Sequence, residues 1–266
     1  MHLIALSGVL FAMSVGIAAA TDMNAAKELA PTGKLRLGVA YAPVATALFV
    51  VKDTAGFPHG ATVDLGMALA QSLGVPVDVF AAPNTGELTD ALESGRIDAA
   101  FMPMDDERKK RIAFGPVYFA VESTYLVPAG SAIKSVADAD RPDVTIVGVA
   151  NTTTIRSAGR TARTAKVVAA TSIDDAMAMM RSGAAHAFAM GRDALPPLQG
   201  QLPGSRILDD AFQATGVAVA VPKGRPAALA FATAFLERAK ADGTVRRIFD
   251  AAGLKTAEVA PPEPQK

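Results

Sequence analysis

The chain has 266 residues, of which 50% are hydrophobic and 20% are charged, a balance typical of a globular protein with one large core or two smaller ones. The formal net charge is zero and basic residues form no stripe, so we expect no nucleic-acid partner. Cysteine is absent and the three histidines, His2, His59 and His186, do not lie at metal-ligand spacing, so we expect neither disulfides nor a metal or other cofactor.

The first 20 residues form an apolar segment that ends in three alanines, residues 18–20, before the polar Thr21. This pattern is typical of a secretory signal peptide with a small-residue cleavage site. The segment carries no Lys or Arg, only His2, so a membrane anchor is the alternative, although a membrane-spanning helix needs about 20 apolar residues. We expect residues 1–20 to be cleaved and the mature chain to be exported to the periplasm.

Strand and helix patterns alternate along the first half of the chain. Residues 34–39 alternate polar and apolar side chains and predict a strand, and residues 60–74 predict a helix that ends at a glycine. A strand over 75–80, a short helix over 87–93 and a strand over 97–102 follow. Such alternation is typical of βαβ units and of a mostly parallel sheet.

The second half repeats this pattern, and we interpret the chain as two similar α/β lobes. In each half a helix ends in Ser-Gly, at Ser94-Gly95 and at Ser182-Gly183, and a strand of small residues follows. The proline-rich end, residues 255–266, predicts a disordered tail. The predicted strands cover 145–150, 166–170, 185–190 and 216–221, and the predicted helices cover 173–182, 227–241 and 244–252.

Several short motifs follow one another in a recognisable order. They are GKLRLGV at 33–39, GATVDL at 60–65, LESGRIDA at 92–99, ER at 107–108 with FGPVY at 114–118, and VGV at 147–149 with TTT at 152–154. Together they resemble the periplasmic solute-binding proteins of the polar amino-acid type, which are the receptors of bacterial ABC importers. The resemblance covers about residues 33 to 254.

The resemblance implies a type II periplasmic binding fold, in which two α/β lobes are joined by two crossover strands and ligand is held in the cleft between them. Lobe 1 would comprise residues 33–119 and 216–254, and lobe 2 residues 120–215. Closure of the cleft would be a hinge motion. The implied partners are a small carboxylate ligand and the membrane permease of an ABC transporter, and the implied state is a monomer.

Seven consecutive charged residues, 105–111, lie between two apolar stretches. The resemblance implies that Arg108 binds the carboxylate of the ligand, which suits the parallel donors of a guanidinium. We interpret the other charges as a solvated helix face. The loop before Arg108 is shorter than in the family, and its Met102 could line an apolar wall of the cleft or belong to the core.

In lobe 2, Asn151, Thr153 and Thr154 follow a strand and precede a predicted helix. Backbone amides at a helix start, together with hydroxyl groups, favour an anion. The resemblance implies that this loop supplies the second contact with the ligand carboxylate, although plain helix capping would also explain the threonines.

The resemblance also implies an acidic residue after the strand at 185–190, where it would bind the ligand's α-ammonium. Gly191 takes that place, and Asp193 comes two residues later. Either Asp193 reaches the ammonium or no ammonium is bound, and Arg192 would favour a second acidic group on the ligand. We therefore expect a carboxylate ligand that need not be an α-amino acid. Tyr41, after the first strand, could stack on the ligand or lie in the core.

Three functions are compatible with this fold. The first is the substrate-binding component of an ABC importer, which is not an enzyme. The second is an exported dehydratase acting on a cyclic carboxylate, which would need a positioned acid and base. The sequence offers no His-Glu pair in the predicted cleft loops, so we favour the importer component. A ligand-sensing receptor domain would share the same cleft.

Overall fold

The computed structural model of the protein describes residues 23–41, 46–82 and 84–262. The predicted signal peptide lies outside these residues. Within the described ranges, no helix is long and apolar enough to cross a membrane.

Strands and helices alternate along most of the chain. The strands are β1 (Leu35–Ala40), β2 (Val51–Lys52), β3 (Pro58–His59), β4 (Val77–Ala82), β5 (Ala99–Pro103), β6 (Ile112–Val127), β7 (Thr145–Val149), β8 (Lys166–Ala170), β9 (Ala187–Gly191), β10 (Arg206–Ile207) and β11 (Gln213–Pro222). The α-helices are α1 (23–29), α2 (Ala61–Leu73), α3 (Thr85–Glu93), α4 (Asp106–Arg111), α5 (Thr153–Thr161), α6 (Ile173–Ser182), α7 (Leu195–Gly200), α8 (Pro226–Ala241) and α9 (Thr244–Ala251).

Two long strands connect the lobes. The main sheet has the order β4-β1-β5-β11-β6-β9-β7-β8. β4, β1 and β5 are parallel to one another in lobe 1, and β9, β7 and β8 are parallel in lobe 2. Between them β6 and β11 pair in antiparallel fashion over most of their length. The predicted fold class, two α/β lobes joined by two crossover strands, is confirmed. The predicted lobe boundaries fall inside these two strands, and they stay a prediction.

Each lobe has its own hydrophobic core. In lobe 1, Leu37, Leu65 and Phe101 pack with residues of α8 and α9, including Leu236 and Phe249. In lobe 2, Val147, Met177 and Phe188 belong to one buried cluster, and a second cluster lies around Tyr125, Ile146 and Ala158. The two lobes therefore have separate apolar interiors, and polar contacts can dominate the space between them.

Three helix starts are fixed by side-chain caps next to the cleft. Asn84 Oδ1 accepts from the amides of Gly86 and Glu87 at the start of α3. Asp105 caps α4, and Thr152 caps α5. Each cap satisfies an amide that the helix itself leaves without an acceptor. The sequence thus fixes where each strand turns into a helix at the edge of the cleft.

The tail that the sequence predicts to be disordered lies on lobe 1 as far as residue 262. The amide of Ala260 donates to Tyr118 O at 2.9 Å, and Lys240 Nζ donates to Pro261 O at 3.1 Å. Ala257 and Val259 pack against the core of lobe 1. Residues 255–262 thus make contacts that their composition does not indicate, because these two apolar side chains are partly buried on lobe 1. Residues 263–266 lie outside the described chain.

Candidate functional site

A cavity of about 70 Å³ lies between the lobes and is lined by both of them. Most of its polar groups are hydroxyls, and Asp193 is the one charged residue among the described residues that line it. The lining residues are Ala40, Thr46, Phe49, Thr85, Pro103, Val121, Ser123, Thr152, Thr153, Thr154, Met190, Gly191, Asp193, Ala194 and Thr215.

The start of α5 forms one wall of this cavity. Thr152 Oγ1 accepts from the amide of Ile155 at 3.2 Å and donates to Val149 O at 2.8 Å. Thr153 and Thr154 are the first two residues of the helix, and amides at these positions have no acceptor within a helix. Thr154 Oγ1 lies 3.4 Å from Ser123 Oγ on β6. This wall therefore presents donors and the positive end of a helix dipole to the cavity.

The carboxyl group of Asp193 forms another part of the wall. It lies in a 3₁₀ turn, Arg192–Ala194, that follows β9. Thr46 Oγ1 of lobe 1 donates to Asp193 Oδ2 at 3.2 Å, so this contact crosses the cleft. The side chain keeps exposed surface because it faces the cavity, but the surrounding protein desolvates the carboxyl group and raises the pKa of Asp193. A raised pKa indicates that the ionised form lacks a cationic partner here.

Arg108 lies behind the cavity wall. Only 3% of the residue is exposed, and its guanidinium donates to Pro103 O and Thr85 Oγ1, each at 2.7 Å. A longer contact of 3.5 Å reaches Asn151 O in lobe 2. Burial, followed by the positive charge of Arg156, lowers the pKa of Arg108 to about 10, so the group keeps its proton at neutral pH. Thr85 accepts from Arg108 and can donate its own hydroxyl hydrogen into the cavity that it lines.

A second cavity, of about 360 Å³, lies on the other side of Arg108. It is polar, and its wall carries charges of both signs. Its lining residues are Asn84, Gly86, Glu87, Thr89, Asp90, Glu107, Arg108, Arg111, Asn151 and Arg156. The predicted site residues are therefore divided between two neighbouring spaces: Thr153, Thr154 and Asp193 line the smaller one, and Arg108 and Asn151 line the larger one.

Three predicted site residues line neither cavity. Met102 is fully buried in a core cluster of lobe 1. Tyr41 packs against the other lobe 1 core, with Lys52 Nζ 5.3 Å from the centre of its ring. Arg192 donates to Glu122 Oε2 at 2.8 Å and to the carbonyl of Leu208 at 2.9 Å, so its charge is used within lobe 2. Met102 and Tyr41 therefore have the core positions that the sequence left open as alternatives, and Arg192 is engaged within lobe 2. A ligand contact by any of the three stays a prediction.

Several cavity residues were missed by the reasoning from sequence. Ser123 and Thr215 lie on the two crossover strands, and Thr85 lies at the start of α3. Thr85 carries the same signal as Thr153, a hydroxyl residue at a strand-to-helix turn. Ser123 and Thr215 carry no such signal, because polar residues within a strand do not show which lobe they will border. Among the described residues, no group of His, Asp and Glu could hold a metal ion.

A small cavity enclosed by two lobes on two crossover strands is typical of two-lobed solute-binding proteins. Residues 38–253 match the family of bacterial extracellular solute-binding proteins, family 3. The match covers most of the chain, and the chain belongs to this family. The predicted family is confirmed.

Curated relatives and solved structures agree with this assignment. The ABC transporter glutamine-binding protein GlnH of Bacillus subtilis is 28% identical over 160 residues, which are 59% of this chain and 58% of that protein. The membrane-bound lytic murein transglycosylase F of Maricaulis maris is 33% identical over 118 residues, which are 42% of this chain and 25% of that protein. This chain therefore spans about a quarter of the transglycosylase and a little over half of the glutamine-binding protein.

The solved structures include an ancestral amino acid-binding protein, AncCDT-1, described as a precursor of cyclohexadienyl dehydratase. Its TM-score is 0.68 at 28% sequence identity, and the match covers 85% of this chain and 97% of that chain. The named relatives thus include binding proteins, a transglycosylase and a precursor of a dehydratase.

Proposed function

We propose that the protein is the periplasmic substrate-binding component of an ABC importer and captures a small carboxylate-bearing solute, an amino acid or a related organic anion. The observation that carries this proposal is the cavity between the lobes, with helix-start donors in one wall and a carboxyl group in another. Such a cavity offers complementary partners to the two ends of a zwitterion. The cavity volume is about half that of a cavity of about 150 Å³ that takes benzene, which favours a small ligand.

The anionic end of the ligand would lie at the start of α5. Thr153 and Thr154 supply amides and hydroxyls there. Across the cleft, Thr85 donates a hydroxyl hydrogen whose acidity is increased by the hydrogen bond from Arg108. Arg108 would therefore act on the carboxylate through Thr85 in the closed cleft. A buried guanidinium bonded to neutral oxygen atoms also favours a nearby negative charge.

The cationic end would lie at Asp193. This carboxyl group has a neutral donor, Thr46, and a raised pKa, so an ammonium group of the ligand would supply the missing opposite charge. The sequence left open whether an ammonium is bound, and the position of Asp193 in the cavity wall supports the view that it is. We therefore favour an α-amino acid over a simple organic anion.

Binding is better supported than catalysis. An eliminating enzyme needs an acid and a base that hold complementary protonation states in one site. Of the described residues that line the cavity, Asp193 alone has a carboxyl, imidazole, amine or guanidinium group. Dehydratase activity is the alternative to test, because one similar structure is described as a precursor of cyclohexadienyl dehydratase. Product formed from a cyclic dienyl carboxylate by the purified protein would overturn the assignment.

A thermal-shift screen tests the ligand class. The twenty common amino acids come first, because a ligand that binds the native state adds RT ln(1 + [L]/Kd), or about 2.7 kcal/mol at 100 times Kd. The strongest ligand is then compared with the same carbon skeleton lacking the ammonium group and the same skeleton lacking the carboxylate. We expect both analogues to bind more weakly. An amine that binds as tightly as the amino acid would contradict the anion site at α5.

The export prediction rests on the apolar segment at residues 1–20 and on the family, whose members are described as extracellular. Expression of the full chain in a Gram-negative host should give periplasmic protein shortened at its N-terminus. The same chain without residues 1–20 should stay in the cytoplasm. A full-length product that sediments with membranes would instead support an anchor.

A further inference from the structure

One ion pair joins the lobes without facing the ligand cavity. Asp105 lies between β5 and α4 in lobe 1, and Arg156 lies on α5 in lobe 2. Arg156 Nε donates to Asp105 Oδ2 at 2.8 Å, and Nη2 bonds to the same oxygen. The side chain of Asp105 is 4% exposed and that of Arg156 is 28% exposed. The pair is thus mostly shielded from solvent, where charge interactions are strongest.

Asp105 is held in position from within its own lobe. Its second oxygen, Oδ1, accepts from the amide of Arg108 at 2.9 Å and so caps α4. Burial alone would raise the pKa of Asp105, but the amide of Arg108 and the guanidinium of Arg156 outweigh it and keep the pKa below its ordinary value. The cap orients one oxygen towards α4 and leaves the other for lobe 2. The side chain of Asp105 therefore loses little conformational entropy when the lobes come together.

The lobes are also in close contact beside this pair. A β-carbon on Gly86 of lobe 1 would lie 3.2 Å from Asn151 Cβ of lobe 2. Asn151 has a φ of 62°, which is uncommon for a residue other than glycine, and its carbonyl lies 3.5 Å from Arg108 Nη2. Parting the lobes would therefore break the ion pair and these contacts together.

We propose that the Asp105–Arg156 pair is an interlobe latch that holds part of the ligand-free protein closed and thereby sets ligand affinity without touching the ligand. Neither residue lines the smaller cavity, to which we assign the ligand, and Arg156 lines the larger cavity beside it. Because apparent affinity scales with the fraction of protein in the binding-competent form, loss of the latch weakens binding of every ligand by the same factor. The latch concerns the two lobes and does not depend on which ligand the cavity takes.

The test measures the distance between the lobes in the ligand-free protein. The chain has no cysteine, so Gln71→Cys on α2 and Ala178→Cys on α6, both exposed positions, give one spin label on each lobe. Pulsed electron resonance then reports the distribution of distances between the labels. The labelled parent should show a closed population, and Arg156→Gln should shift it towards longer distances.

Arg160→Gln is the matched control. It removes the same charge from the same helix one turn later, at an exposed position. We expect its distance distribution to equal that of the parent. If Arg156→Gln and Arg160→Gln give the same distribution as the parent, the ion pair does not hold the lobes and the proposal fails.

A second variant guards against a folding defect in the first. Asp105→Asn keeps an oxygen that can cap α4, since Asn is as good a cap as Asp, and removes the charge that faces Arg156. It should open the cleft as Arg156→Gln does, with an unchanged far-ultraviolet dichroism spectrum. A closed Asp105→Asn variant would contradict the latch even if Arg156→Gln failed to fold.

Discussion

The carboxyl group of Asp193 occupies the space above Gly191. A β-carbon on residue 191 would lie 2.9 Å from Asp193 Oδ1 and 3.2 Å from Val121 Cγ1. The absence of a side chain at 191 and the acidic residue two positions later are therefore one structural arrangement. Glycine at 191 makes room for the carboxyl group that the 3₁₀ turn after β9 brings back to the cavity.

Gly191→Ala should weaken ligand binding because the new methyl group displaces Asp193 Oδ1. Titration calorimetry would detect this displacement as a higher Kd. Gly159→Ala is the matched control, because a β-carbon there meets nothing within 4 Å. Equal affinities for the two variants would show that the position of Asp193 does not matter for binding.

Ligand affinity should fall as the pH is lowered through the raised pKa of Asp193. The ionised carboxylate binds an ammonium, and burial raises its pKa above the ordinary value of about 3.9, so the loss begins at a higher pH than for an exposed Asp. The stability of the ligand-free protein should respond to pH in the opposite direction. There the native state binds more protons than the unfolded state between the two pKa values, so this group makes the free energy of unfolding rise on acidification.

Both pH effects should disappear in Asp193→Asn, and calorimetry and chemical unfolding at a series of pH values would measure them. A variant that keeps the pH dependence of the parent would assign the titration to another group.

Arg108→Ala should weaken binding by about 1 to 3 kcal/mol, because Thr85, through which Arg108 would act on the ligand, loses its buried donor. The same change breaks the bonds to Pro103 O and Thr85 Oγ1, so thermal stability should fall as well. Arg111→Ala on the same helix removes only partially exposed pairs with Asp90 and Glu93, and its affinity should match that of the parent. Unchanged affinity in Arg108→Ala would remove this residue from the site.

Thr154→Val should cost about 1 to 3 kcal/mol of binding free energy, since it removes a hydroxyl from the cavity wall and leaves its partners unpaired. The backbone amide stays, so binding should weaken without being abolished. Thr161→Val, at the other end of α5, is the control, and equilibrium dialysis is a sufficient assay. A larger effect from Thr161→Val would place the ligand elsewhere.

Removal of residues 255–266 should destabilise lobe 1 and leave ligand affinity unchanged. Truncation removes the bond from Ala260 N to Tyr118 O and one acceptor of the buried Lys240. A hydrogen bond contributes about 0.5 to 1.5 kcal/mol net to stability, so the melting temperature should drop measurably. A truncated protein with the same melting temperature as the full chain would show that these contacts add nothing to stability.

Periodicity and capping residues were enough to predict most of the fold. β8 lies where the apolar run 166–170 predicts it, and α6 begins after the cap Ser172 and ends before Gly183. The packing of the C-terminal tail could not be predicted in the same way, because burial of a short apolar segment depends on a distant partner. The tail around Val259 finds its partner on lobe 1, and composition alone gives no sign of that contact.

The site could be predicted only in part. The position of a residue in the sequence indicates which loop it belongs to, but not the direction in which its side chain points. Met102 and Pro103 are adjacent at the end of β5, yet Met102 points into the core and Pro103 lines the cavity. Successive side chains of a strand face opposite ways, so a one-residue difference decides between core and cleft. Thr153 and Thr154 line the cavity because a helix start has a defined geometry, and their contact with a ligand stays a prediction.

Both ends of the described chain pack on the same lobe. Leu29 of α1 and Val259 near the C-terminus join the core of lobe 1, and lobe 2 is an insertion between the two crossover strands. A tether attached at either end would thus hold lobe 1 still while lobe 2 swings freely. Immobilisation through the C-terminus should therefore leave opening and closing of the cleft undisturbed on a sensor surface.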